Sequence, residues 1–143
     1  MAEGVFRRLV ANAGLAERIA IDSAGTHDYH VGDPPDPRAH RAAGRRGYDL
    51  SALRGRQVGR DDFSGFDLVL AMDEMNLRLL RRLCPPQYAH KVRLFMEFAD
   101  DTVALDVPDP YYGGPDGFER VLDMIERAGR GLLDHLRSRL GEP

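Results

Sequence analysis

The chain has 143 residues, 43% of them hydrophobic, which is the size of one ordinary globular domain with a real core, so a single domain over residues 1–143 is expected. Its formal net charge is −3, and no overall basic field points to nucleic acid or to an anionic membrane surface. Cys84 is the only cysteine, which excludes an intrachain disulfide and a multi-cysteine zinc site and makes a reducing, cytoplasmic setting the expectation.

The opening stretch, MAEGVFRRLV, carries Glu3 and no continuous apolar run, so it is unlike a signal peptide, and nothing later approaches the length of a membrane span. Val5, Phe6, Leu9, Val10 and Ala13 recur at helical spacing up to Gly14, which predicts an amphipathic helix over 2–14. No Ser, Thr, Asp or Asn stands ahead of it as a cap. Either the helix starts uncapped or an element that should precede it is missing.

Next, RIAIDSAGT has a short β-branched run at 19–21 followed by small residues, the pattern of a buried strand leading into a turn. A loop rich in Gly, Pro and Asp follows. Asp36 then caps and Pro37 opens a short helix through Ala39, Ala42 and Ala43 toward Gly44 or Gly47. Residues 68–72 are apolar throughout, as in a parallel strand covered on both faces. NLRLLRRL predicts a helix from Asn76 to Leu83, stopped by Cys84, Pro85 and Pro86. KVRLFM reads as a further strand and DVPDPYYGGPDG as a long loop. From Phe118, the residues Val121, Leu122, Ile125, Leu132, Leu133, Leu136 and Leu140 hold helical spacing almost to the end.

Strands alternating with helices predict a doubly wound α/β fold with a parallel sheet. Three strands are thin for helices on both faces, which again points to a missing element. In such sheets ligands bind beyond the carboxyl ends of the strands, which directs attention to DSAGTHDYHVG, MDEMN and DVPDPYYGG. The last carries the most chemistry. Pro110 holds Asp109 in extended geometry, and Tyr111 and Tyr112 set two aromatic faces beside the carboxyl group. An acid there can protonate the leaving oxygen of an aryl ester while the rings stack on the aryl group.

MAEGVFRRLV, IDSAGT, HVGDPPDPRA, FDLVLAMDEMN and VPDPYYGGPDGFE, in that order and across nearly the whole chain, resemble the low-molecular-weight protein tyrosine phosphatase family. The resemblance implies a three-layer fold on a four-stranded parallel sheet. It also implies a cysteine-based phosphatase that needs no metal or other cofactor and acts on a phosphotyrosine protein or a small aryl phosphate. Asp109 becomes the general acid that protonates the leaving phenolate and, once it has lost that proton, activates water against the phosphocysteine. Tyr111, Tyr112 and Tyr29 become walls of the phosphotyrosine cleft, and Ser23 supports the phosphate loop. Leu53 stands where the family often has a supporting histidine. Asp73 and Asn76 match the family pattern, although helix capping alone accounts for them. His27 and His30 lack a third ligand, and no metal is assigned.

One departure is large. In the family the first helix is preceded by a central strand and a loop of cysteine, five residues, arginine and Ser or Thr. That loop's N–H groups bind phosphate and lower the thiol pKa. None of it is in this sequence. Cys84 cannot replace it, because Pro85 and Pro86 offer no N–H donors and a helix C-terminus disfavours a thiolate. The chain is therefore expected to start at an internal methionine of a longer protein, to be inactive as written, and to be poorly stable unless another chain fills the gap by strand complementation or a swapped dimer. A non-catalytic interaction module is the second reading. An arsenate reductase on a related fold would need several redox cysteines.

Overall fold

The computed structural model describes residues 1–27, 31–99 and 117–141. Helix α1 spans Ala2–Asn12 and buries Val5, Phe6 and Val10 as one stripe. It ends two residues before the predicted boundary, because Ala13 and Gly14 are consumed by the turn. Gly14 adopts φ +74°, and Leu15 N–H reaches back to Val10 O at 3.0 Å. No side chain caps its start.

Helix α2, Pro37–Arg45, begins as its sequence dictates: the Asp36 carboxylate accepts from Arg38 N–H at 2.8 Å and Pro37 takes the first turn. Its small face, Ala39, Ala42 and Ala43, is buried. A short helix α3, Asp61–Gly65, escaped the sequence reading since five residues are too few to show a period; it buries Phe63 completely.

Strand β1 is Val69–Ala71 and helix α4 is Glu74–Leu83. Asp73 caps α4 through Asn76 N–H at 2.7 Å, so the helix starts two residues earlier than predicted and Asn76 lies inside its first turn. A 3₁₀ turn, Pro86–Lys91, leads to strand β2, Val92–Leu94. The predicted strand KVRLFM is thus only half strand. Phe95 and Met96 instead open a second 3₁₀ turn, Phe95–Phe98, which carries both into the core. Helix α5, Gly117–Arg139, matches its periodicity.

The two strands pair in parallel, Val69 opposite Val92 and Ala71 opposite Leu94. Side chains alternate across the sheet. Val69 and Ala71 join Val92, Leu94, Leu77 and Leu80 in a cluster under α4, whereas Leu68, Leu70 and Met72 pack on the larger cluster built from α1, α2 and α5. Helices therefore cover both faces of a parallel sheet.

The predicted strand at 19–21 is not formed. Residues 19–24 run without regular structure, and among the described residues only an isolated parallel bridge, Gly25 to Gln57, continues the segment. Ile19 and Ile21 still pack against the large cluster, so the apolar signal was real. A strand also needs a neighbour to bond to, and among the described residues β1, which lines the same cavity, pairs with β2 and not with this segment. The same cavity explains why Leu68, Val69, Leu70 and Met72 are half-buried and not fully covered. No helix among the described residues is long and apolar enough to cross a membrane.

Helix α5 is fixed to the end of α2 by charge. Arg46 meets Glu119 at 2.7 Å, Asp123 at 2.9 Å and Glu126, and the Tyr48 hydroxyl donates to Glu126 at 2.5 Å. Burial and the neighbouring Glu126 carboxylate push the Tyr48 phenol up from 10.0 to about 12. The folded state thus holds this proton more tightly than the unfolded chain. The resulting stabilisation is full below pH 10 and is lost as pH rises through about 12. Tyr48→Phe is expected to remove one late-titrating phenol from the tyrosinate absorbance and to flatten the alkaline fall in stability over that window. A variant that keeps the late phenol would assign it to another tyrosine.

Candidate active site

The cavity, of about 570 Å³, is lined by residues 19–26 and 68–72. Ala2 and Phe6 of α1 and Leu132 and Leu136 of α5 close one face. Polar groups gather where the first turn of α1 meets residue 23. Glu3, buried on the apolar face of α1, accepts from Ser23 Oγ at 2.6 Å and from Arg7 Nε at 2.7 Å. Arg7 also donates to Ile21 O at 2.5 Å, so α1 holds the 21–23 backbone in place through two side chains.

Among the arginines that line the cavity is Arg56. Arg56 binds Asp62 with both terminal nitrogens, at 3.1 and 2.9 Å, and its Nε sits 3.0 Å from Asp22 without hydrogen-bond alignment. The hydrogen bonds from Arg56, followed by Gly59 N–H, hold the Asp62 carboxyl below its ordinary range. Sequence reasoning missed Glu3, Arg7, Arg56 and Asp62. Glu3 left a signal, since an acid in register with Phe6 and Val10 interrupts a buried stripe. Arg56 left none, because RGRQVGR has no period.

Of the predicted site residues, Ser23 is at the cavity, bonded to Glu3. Asp109, Tyr111, Tyr112, Tyr29 and His30 lie outside the described residues. Leu53 packs on the large cluster. Asn76 lines the cavity and Asp73 is the α4 cap. Cys84 is half-buried at the C-terminal end of α4, packed on the smaller cluster, with its thiol directed at Pro85 O at 3.3 Å. It does not line the cavity. Among the described residues no group of three or more His, Cys, Asp or Glu could hold a metal ion.

A parallel sheet under helices on both faces, with polar groups collected at the start of α1, is a frame on which many chemistries are built, and fold alone does not select one. The family model described as "Low molecular weight phosphotyrosine protein phosphatase" matches residues 1–141. The chain belongs to that family. A low molecular weight protein-tyrosine-phosphatase of Streptomyces coelicolor is 48% identical over 98% of this chain and 87% of its own length. The low molecular weight phosphotyrosine protein phosphatase of Homo sapiens is 37% identical over 94% and 85%. In three dimensions, the crystal structure of a protein tyrosine phosphatase from Entamoeba histolytica, with Hepes in its active site, superposes with a TM-score of 0.92 at 39% identity. That match covers 96% of this chain and 87% of the Entamoeba chain. As a low molecular weight phosphatase by family, the chain carries the parallel α/β architecture that its sequence predicts.

Proposed function

We propose that residues 1–143 form one phosphatase domain that hydrolyses phosphotyrosine through a phosphocysteine intermediate, with the nucleophilic cysteine and phosphate-binding arginine carried by a further strand and loop that enter the cavity beside β1. Asp109 serves as general acid, Tyr111, Tyr112 and Tyr29 wall the aryl group, and Ser23 braces the loop. The cavity carries this reading: it lies between two backbone segments, under helices on both faces, and the first turn of α1 borders it. A loop emerging there would meet the N–H groups of α1, which favour a phosphate and a thiolate. Cys84, the single cysteine, sits at the opposite kind of helix terminus and away from the cavity. Cys84 is therefore not the nucleophile of this reading.

The test compares two chains on phosphotyrosine and on p-nitrophenyl phosphate. The 143-residue chain should show no turnover above background. The same chain extended at its N-terminus by an apolar strand and a loop of cysteine, five residues, arginine and serine should turn over, and should lose activity when the new cysteine becomes serine. Hydrolysis by the short chain that disappears with Cys84→Ser would overturn the assignment. Failure of a folded extended chain to turn over would leave a non-catalytic interaction module as the better description.

A further inference from the structure

Helix α4 buries Leu77 and Leu80 in the smaller cluster and leaves apolar surface on its opposite face. There Met75 is 69% and Leu83 44% exposed, with the half-buried Leu79 between them. Only one other large hydrophobic side chain among the described residues, Val31, is exposed, so this concentration on one short helix is particular to α4. The three residues stand four apart and form one ridge along the helix, about 12 Å long. Arg78 and Arg82, both exposed, make a second row beside the ridge, and Arg81 is exposed next to them. Basic residues in a last turn complement the helix dipole, which accounts for Arg81 and Arg82 but not for Arg78 or for the exposed Met75 and Leu83. Arg7, Arg38, Arg46, Arg56 and Arg93 each meet a carboxylate. Arg78, Arg81 and Arg82 make no ion pair among the described residues. Glu74 is the only carboxylate of α4, so the helix is net positive on a chain whose formal charge is −3.

We propose that the exposed face of α4 docks a helix of another protein, one whose own i, i+4 apolar ridge is flanked by a row of Asp or Glu. A ridge at this spacing packs into the groove beside the same kind of ridge on a second helix, and carboxylates along that groove answer Arg78 and Arg82. A second copy of this chain fits badly, because a twofold contact through α4 sets the arginine row of one copy against that of the other. An anionic membrane fits badly as well: α4 has ten residues and no aromatic side chain, and the negative net charge of the chain opposes the approach. Asn76, next to Met75, lines the cavity, so a partner docked on α4 lies beside it. The inference rests on the surface of α4 and not on the phosphatase chemistry.

The experiment follows the fluorescence anisotropy of the labelled peptide acetyl-AEALEAELEAELEA-amide as the 143-residue chain is added. The chain should bind it at least about tenfold more tightly than the same peptide with every Glu replaced by Gln, and the difference should shrink as salt rises. Replacing Arg78→Glu and Arg82→Glu together should weaken binding at least about tenfold, and Met75→Ser with Leu83→Ser at least about fivefold. These side chains are exposed, so each variant should melt within about 2 °C of its parent. Arg41→Glu, on the exposed side of α2, should leave binding unchanged. No binding of the acidic peptide, equal binding of the Gln peptide, or an equal loss with Arg41→Glu would refute the proposal. So would tighter binding to phosphatidylserine vesicles than to the peptide, which would make a membrane the occupant, or a dimer of the free chain that Arg82→Glu dissociates, which would make it a second copy.

Discussion

In a chain that carries the strand and the cysteine loop, Asp109→Asn is expected to slow phosphotyrosine turnover by about 10²–10⁴-fold while leaving the inhibition constant of inorganic phosphate within about threefold. The asymmetry follows from the role proposed for Asp109. A general acid gives its proton as the P–O bond breaks, so its contribution exists in the transition state and is absent from the ground-state complex. Phosphate binding draws instead on N–H donors and an arginine, which the substitution leaves in place. The loss should shrink with p-nitrophenyl phosphate, whose leaving group departs without a proton, and should be largest with alkyl or unactivated aryl esters. An unchanged rate on a poor leaving group would remove Asp109 from the mechanism and return DPYY to the status of a turn.

Legibility in the sequence followed how local each interaction is. Helix α5 was readable because Val121, Leu122, Ile125, Leu132 and Leu133 repeat at the helical period, and all are buried. The cap at Asp36 was readable because Asp and Pro perform that work within two residues. Strand status at 19–21 was not, because Ile19 and Ile21 show that the segment is apolar but not whether a neighbour stands within bonding distance. The frame of the candidate site was half legible. Ser23 was singled out only by the family resemblance, whereas its partner Glu3 is 20 residues away on a helix and announces itself only as an acid among buried residues. Arg56 and Asp62 form a pair that no spacing rule finds, since the turn at Gly59 brings them together.

Gly131→Ala is expected to destabilise the chain by about 1–3 kcal/mol, a fall in Tm of roughly 5–10 °C, although the substitution sits inside a helix where alanine is the better helix former. Two effects oppose each other. Alanine gains about 1 kcal/mol in helix propensity over glycine. Against that, a Cβ at residue 131 would stand 1.7 Å from the carbonyl oxygen of Phe98 and 2.8 Å from its carbonyl carbon. A backbone carbonyl cannot rotate aside as a side chain can, so α5 or the Phe95–Phe98 turn must move, and the packing of both is disturbed. Gly44 supplies the control. It is exposed in α2, nothing lies within 4 Å of its would-be Cβ, and Gly44→Ala should be neutral or stabilising by about 0.4–1 kcal/mol. The same chemical change therefore carries opposite signs at two helix positions, and thermal melting reads both. Since Leu132, next to Gly131, and Leu136 line the cavity, displacing α5 should also change its shape. A Gly131→Ala chain as stable as its parent would show that α5 does not approach the Phe98 carbonyl so closely, and the cavity wall would have to be redrawn.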